Sequence, residues 1–178
     1  MTRAELFDRI YDSYCTWYDM EHCDESESPL RAVGEFHSTD SSYVLSRKVT
    51  VWSAQSNDYL YIYDLEALDA ASCGRLIEAA RAEGEKKINP TKDHRSSYVT
   101  AIFVCDTADG DAKALLRKYR SRKNFAFGLK GWEEVHVAAV TVSDREVCSN
   151  GDGRNTAGFL RSIIKPKKKF FHKRKKGV

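Results

Sequence analysis

Three acidic residues stand at the ends of apolar runs. Asp64 closes "YLYIYD", Asp106 closes "AIFVCD" and Asp144 closes "AAVTVSD". Two strands joined through a helix normally run parallel with a right-handed crossover. Asp64 and Asp106 are therefore expected at one carboxyl edge of a sheet, where open α/β sheets place ligands. Paired carboxylates there suit Mg²⁺, which prefers oxygen ligands and takes one or two from the protein. Glu134 becomes the third ligand if 124–127 is a parallel strand and Gly128–Gly131 then reverses the chain. Glu134 and His136 share one face of a strand by its two-residue period. That set would resemble a metal-dependent hydrolase or nuclease, with Glu134 and His136 as its acid–base groups. The alternative for each residue is structural: Asp after a strand caps turns and helices. A histidine among Val and Ala is more often a hydrogen-bonded core residue.

Other chemistries find less support. Cys15, His22 and Cys23 are the only close Cys/His group, and their spacing lacks the paired ligands of zinc sites. Five scattered cysteines, two inside apolar runs, fit reduced thiols in a cytoplasmic protein better than a disulfide framework. Neither a Walker A nor a G-x-G-x-x-G is present, and Asp152 inside Gly151–Gly153 argues against phosphate binding. Gly128-Leu129-Lys130-Gly131 has the G-x-x-G form of the KH loop but sits between Phe127 and Trp132, as a hairpin turn would.

Charge is unevenly placed. Eight of the 29 Lys and Arg, and none of the 26 Asp and Glu, lie in "KPKKKFFHKRKKGV" at 165–178. The body is net acidic and the end strongly basic. Lys167, Lys168, Lys169, Lys173, Arg174, Lys175 and Lys176 are spaced to follow a nucleic-acid backbone, with Phe170 and Phe171 free to stack on bases. A disordered, solubilising end with no specific partner explains the composition as well as nucleic acid does, and an anionic membrane surface is the less favoured partner. The run "YRSRKNFAFGLKGW" also mixes cations and aromatics, but a helix end meeting a strand explains each residue type.

The elements that must position these groups follow from periodicity. Thr2 and Glu5 form a capping box for a helix over about 3–19. Residues 21–39 are polar with Pro29 and are expected as loop. "YVLSRKVTVW" (43–52) and "YLYIYDL" (59–65) are strands, and Ser56-Asn57-Asp58 between them has turn chemistry. Asp69 caps a second helix ending before Pro90. "YVTAIFVC" (98–105) is a central strand, apolar on both faces. Asp109 or Asp111 caps a third helix. A short strand at 124–127, a long one at 134–142 and a short return, "EVCS", come next. Gly158–Ile164 forms a last short helix. The order α-β-β-α-β-α-β-β-β predicts an α+β (mixed α/β) domain over 1–164. Its single mixed sheet has four to six strands with helices packed on it, and 165–178 is a basic tail.

The run "KNFAFGLKGWEEVHVAAVTV", then "VCSNGDGR", with "HRSSYVTAIFVC" upstream, resembles an uncharacterised bacterial family, a domain of unknown function. The resemblance covers Met1 to Ile164 and implies a bacterial, cytoplasmic protein. It brings no activity, cofactor or catalytic residue. "GDGR" departs from the more basic loop of that family. The functional expectation is a non-catalytic binding or accessory module without a cofactor, whose tail meets nucleic acid or another polyanion. The alternative is the Mg²⁺-dependent hydrolase or nuclease.

Overall fold

The computed structural model describes residues 1–23, 28–43 and 50–165, with backbone alone at 40–43 and 50–53. The basic tail expected from 165 onward lies outside the described residues after Lys165, as does most of the expected strand start at 44–49. Among the described residues, eleven helices and strands build a seven-stranded mixed sheet with two helices on each face.

Helix α1 (Arg3–Tyr14) starts at the expected capping box, in which the Thr2 hydroxyl accepts from the Glu5 N–H and the Glu5 carboxylate accepts from the Thr2 N–H. It stops earlier than its apolar spacing suggests, and Trp17 stands 73% exposed beyond it. Strands β1 (Asp19–His22) and β2 (Leu30–Tyr43) occupy the stretch expected as loop. Strand β3 (Thr50–Leu68) runs unbroken through Ser56-Asn57-Asp58, so the turn expected there does not form. Helix α2 (Ala70–Lys87) is capped by Asp69. Strand β4 (His94–Ala108) is followed by α3 (Gly110–Lys118), capped by Asp109. Strand β5 (Arg122–Asn124), a 3-10 turn (Ala126–Gly128), β6 (Trp132–Thr141), β7 (Val147–Ser149) and α4 (Arg154–Ile164) complete the chain.

The sheet order is β1-β2-β3-β4-β6-β5, with β7 beside the far half of β6. β3, β4 and β6 are mutually parallel, whereas β1, β2, β5 and β7 pair antiparallel to their neighbours. β4 is buried along most of its length because it is central and covered on both faces. On one face Tyr59, Tyr61, Tyr63, Val99, Phe103 and Val137 pack under α2 and α3. On the other, Leu60, Ile62, Ile102, Val104, Ala138 and Val140 pack under α1 and α4.

The parallel pairing of β4 with β6 corrects one expectation. Tyr98 pairs with Glu134, and Asp106 lies eight residues further along β4. At about 3.3 Å per residue, Glu134 is about 26 Å from the carboxyl edge. It does not meet Asp64 and Asp106. The alternative needed 124–127 to be a parallel strand, but only β5 forms there, antiparallel to β6.

The turn between β5 and β6 is tightly held. Ala126 and Phe127 have φ of 46° and 55°, a left-handed conformation that costs a non-glycine residue about 1–2 kcal/mol. Gly128 and Gly131 also have positive φ. A Cβ at Gly131 would overlap the Arg95 carbonyl oxygen, while one at Gly128 would meet nothing. His94 Nδ1 donates to the Lys130 carbonyl at 2.6 Å, leaving Nε2 to accept from the Ser97 hydroxyl at 2.9 Å.

These two glycines should respond differently. In urea unfolding, Gly128→Ala is expected to cost about 1 kcal/mol, for the backbone alone. Gly131→Ala should cost about 2–4 kcal/mol, because overpacking is added. Equal losses would contradict the packing described.

Candidate functional site

A cleft of about 630 Å³ opens at the amino end of the parallel strands, between the end of α1 and the start of α4. Its floor comes from register. Asp58 on β3 pairs with Tyr98 on β4, which pairs with Glu134 on β6. The three lie in one row across the sheet, the backbones of Asp58 and Glu134 about 10 Å apart. One step along the same face, Thr100 pairs with His136. One wall is Ser13, Tyr14, Trp17 and Tyr18; the other is Asp152, Asn155, Thr156 and Phe159.

The aromatic wall is continuous. Phe159 meets Tyr14 edge-on at 5.1 Å between centroids, Tyr14 meets Tyr18 at 5.0 Å, and Tyr18 leans on Phe36 at 5.6 Å. Such pairs hold rings in place beyond the effect of area alone. On the floor Tyr98 stacks on His136 at 4.9 Å.

Asp58 sits deep in the floor and touches the cleft. It accepts hydrogen bonds from the Tyr18 hydroxyl at 2.8 Å and from Thr100 Oγ1 at 2.9 Å. Desolvation pushes its carboxyl up to about 6, although both donors favour the charged form. The Glu134 carboxyl is also raised, first by partial burial and then by Asp152 beside it. Arg122, stacked over the Trp132 ring at 4.8 Å, opposes this from 4.0 Å away. His136 is lowered by burial, so its imidazole is neutral near pH 7. Neither of its ring nitrogens has a hydrogen-bond partner among the described residues, unlike the satisfied core histidine that its Val and Ala neighbours suggest.

The cleft thus combines three carboxylates, five aromatic side chains and a neutral histidine, and no Lys or Arg among the described residues lines it. Carboxylates facing ring faces in a partly dry concavity favour a positively charged organic group.

The residues singled out from sequence divide between the two ends of the sheet. Asp64 and Asp106 do share the carboxyl end, but Arg3 from α1 stands between them. Its Nε is 2.5 Å from Asp64 in a charge contact, and its Nη1 donates to Asp106. Asp144 is bound by Lys113 and by the Thr141 hydroxyl. That edge is neutralised by the protein itself, and no group of three His, Cys, Asp or Glu among the described residues is placed to hold a metal ion. Glu134 and His136 do come together, in the cleft. Sequence reasoning missed Asp58, which looked like part of a turn, and Asp152, set aside with its glycine loop. Tyr98 marked only a strand start. The signal available was the polar run 56–58 placed against "YLYIYD".

A family model for a domain of unknown function, DUF8052, matches residues 2–162. The chain belongs to the DUF8052 family. Comparison with curated proteins and with solved structures gave no match. Every residue of the DUF8052 cleft lies inside the matched span, and the basic tail lies outside it. Among the described residues, no helix of this DUF8052 protein is long and apolar enough to cross a membrane.

Asp58 gives the site a pH signature. Its carboxyl is raised in the folded state, so between its unfolded value and about 6 the native protein holds the extra proton. Stability conferred by Asp58 is present at low pH and lost as pH rises through about 6. The stability difference between Asp58→Asn and wild type should therefore move in the variant's favour by about 1–3 kcal/mol from pH 4 to pH 7, allowing for screening by cleft water. Urea unfolding across that range measures it. A pH-independent difference would contradict the raised carboxyl.

Proposed function

We propose that this DUF8052 protein is a non-catalytic binding module that takes a positively charged organic ligand in the cleft between α1 and α4. The observation that carries the reading is the cleft's lining: three carboxylates and five aromatic rings, with no lining cation among the described residues. A cation would relieve the crowding of Glu134 and Asp152 and find the faces of Tyr98 and Trp17. Binding rather than turnover is favoured because Asp58 is already occupied by the Tyr18 and Thr100 hydroxyls. Among the described residues, no nucleophile or orienting carboxylate is hydrogen-bonded to His136.

The basic tail supplies the second half of the proposal. Its eight Lys and Arg carry the contact with nucleic acid or another polyanion, as their density and two phenylalanines suggest. The module would then join a small cationic ligand to a polyanionic partner. A reducing, bacterial cytoplasm is the proposed setting. The Cys73 and Cys105 thiols, pushed up to about 12 by burial, are inert there as core residues.

Calorimetry with choline and with its neutral isostere 3,3-dimethylbutanol tests the cleft. Choline should bind and the isostere should bind at least about tenfold more weakly, the difference of one desolvated charge interaction. Affinity for choline should rise between pH 5 and pH 7 as Asp58 ionises, and Glu134→Gln should weaken it. Equal binding of the two probes, or none by either across a wider set of ammonium compounds, would sink the reading. For the tail, a chain ending at Ile164 should lose salt-sensitive retention on single-stranded DNA. Unchanged retention would place the polyanion contact elsewhere.

A further inference from the structure

The turn between β5 and β6 carries two large apolar side chains that the fold leaves in solvent. Phe127 is 104% exposed and Leu129 84%. This is no slack loop. Ala126 and Phe127 hold left-handed backbone, and the Gly128 and Lys130 N–H groups both donate to the Phe125 carbonyl. His94 clamps the Lys130 carbonyl, and Gly131 lies against the Arg95 backbone. Strain of this kind persists only where the surroundings over-determine it. Here it aims Phe127 and Leu129 outward.

The turn is basic in sequence, although Arg122 and Lys123 at its start are paired with Glu134 and Glu85 on neighbouring elements. Residues 118–132 contain Lys118, Arg120, Arg122, Lys123 and Lys130 and no acid. Arg95, also exposed, lies beside the base of the turn. Neither Arg95 nor Lys130 makes an ion pair among the described residues. Within this turn an aromatic and an aliphatic side chain stand in solvent, with the exposed cations Lys130 in the turn and Arg95 at its base. A nucleic-acid strand calls for a groove with ring faces in series. A planar anionic surface calls for apolar residues that enter its interface and cations that stay at the headgroups.

We propose that this turn is a membrane-docking tip that inserts Phe127 and Leu129 into the interface of an anionic bilayer, with Arg95 and Lys130 on the headgroup phosphates. It is separate from the cleft and from the tail. The tail has cations of its own, so the test reads insertion at the tip rather than retention alone. In the full chain carrying Phe127→Trp, vesicles of phosphatidylcholine and phosphatidylserine with brominated acyl chains should quench fluorescence beyond the level seen in wild type. Pure phosphatidylcholine vesicles should give little such excess. Phe127→Ser with Leu129→Ser should lower the bound fraction on anionic vesicles, and Lys130→Glu should weaken binding by about fivefold or more, one lost surface cation or more. No excess quenching in Phe127→Trp would overturn the proposal. So would unchanged binding by the double serine variant, since that assigns the vesicle contact to the tail alone. A shift of the Phe127→Trp emission, relative to wild type, with single-stranded DNA and not with anionic vesicles would assign the tip to nucleic acid and also overturn it.

Discussion

A carboxylate placed in the middle of a long strand organises this protein. Ser56, Asn57 and Asp58 have the composition of a turn, yet β3 passes through them without a break. Each has a partner on a neighbouring element. Ser96 donates to the Ser56 hydroxyl, Asn57 bonds to His37 and Ser97, and Asp58 accepts from Tyr18 and Thr100. These cross-strand bonds replace the local ones a turn would have offered. Tyr18 in turn fixes the chain after α1, so one wall of the cleft depends on the same carboxylate as its floor. The cost is a carboxyl kept near neutrality by desolvation.

The two ends of the sheet have opposite characters for one reason, the position of α1. Its first turn brings Arg3 between Asp64 and Asp106, which neutralises the carboxyl edge where α/β sheets usually bind ligands. Its last turn stops short of the amino edge, and α4 begins on the other side. Between them the row Asp58–Tyr98–Glu134 is left uncovered on that face. The unused edge is full and the open edge is acidic.

Much of the fold was legible in the sequence where local signals and tertiary context agree. Thr2, Asp69 and Asp109 cap helices as their spacing indicates, and 98–105 is the central strand its two-sided apolarity requires. Residues 21–39 were not legible, because β1 and β2 are edge-side strands whose outward residues are polar. Pro29 merely precedes the start of β2. The site was half legible. Glu134 and His136 were recognisable as a pair on one strand face, and so were Asp64 and Asp106 at one edge. Which pair faced an opening depended on whether β6 runs parallel to β4, and no residue pattern within β6 encodes its direction. Asp58 could not be found without knowing that its turn-like neighbours were paired on both sides.

On the proposed reading, Asp58 holds a raised carboxyl at the floor of a cation-binding cleft. Carbon-13 NMR of the Asp58 side-chain carboxyl, followed from pH 3 to pH 8 with and without saturating tetramethylammonium, tests it most directly. A midpoint near 6 is expected in the free protein and a lower midpoint with the cation present, since a bound positive charge favours the carboxylate. An ordinary carboxylate midpoint, indifferent to the cation, would contradict it.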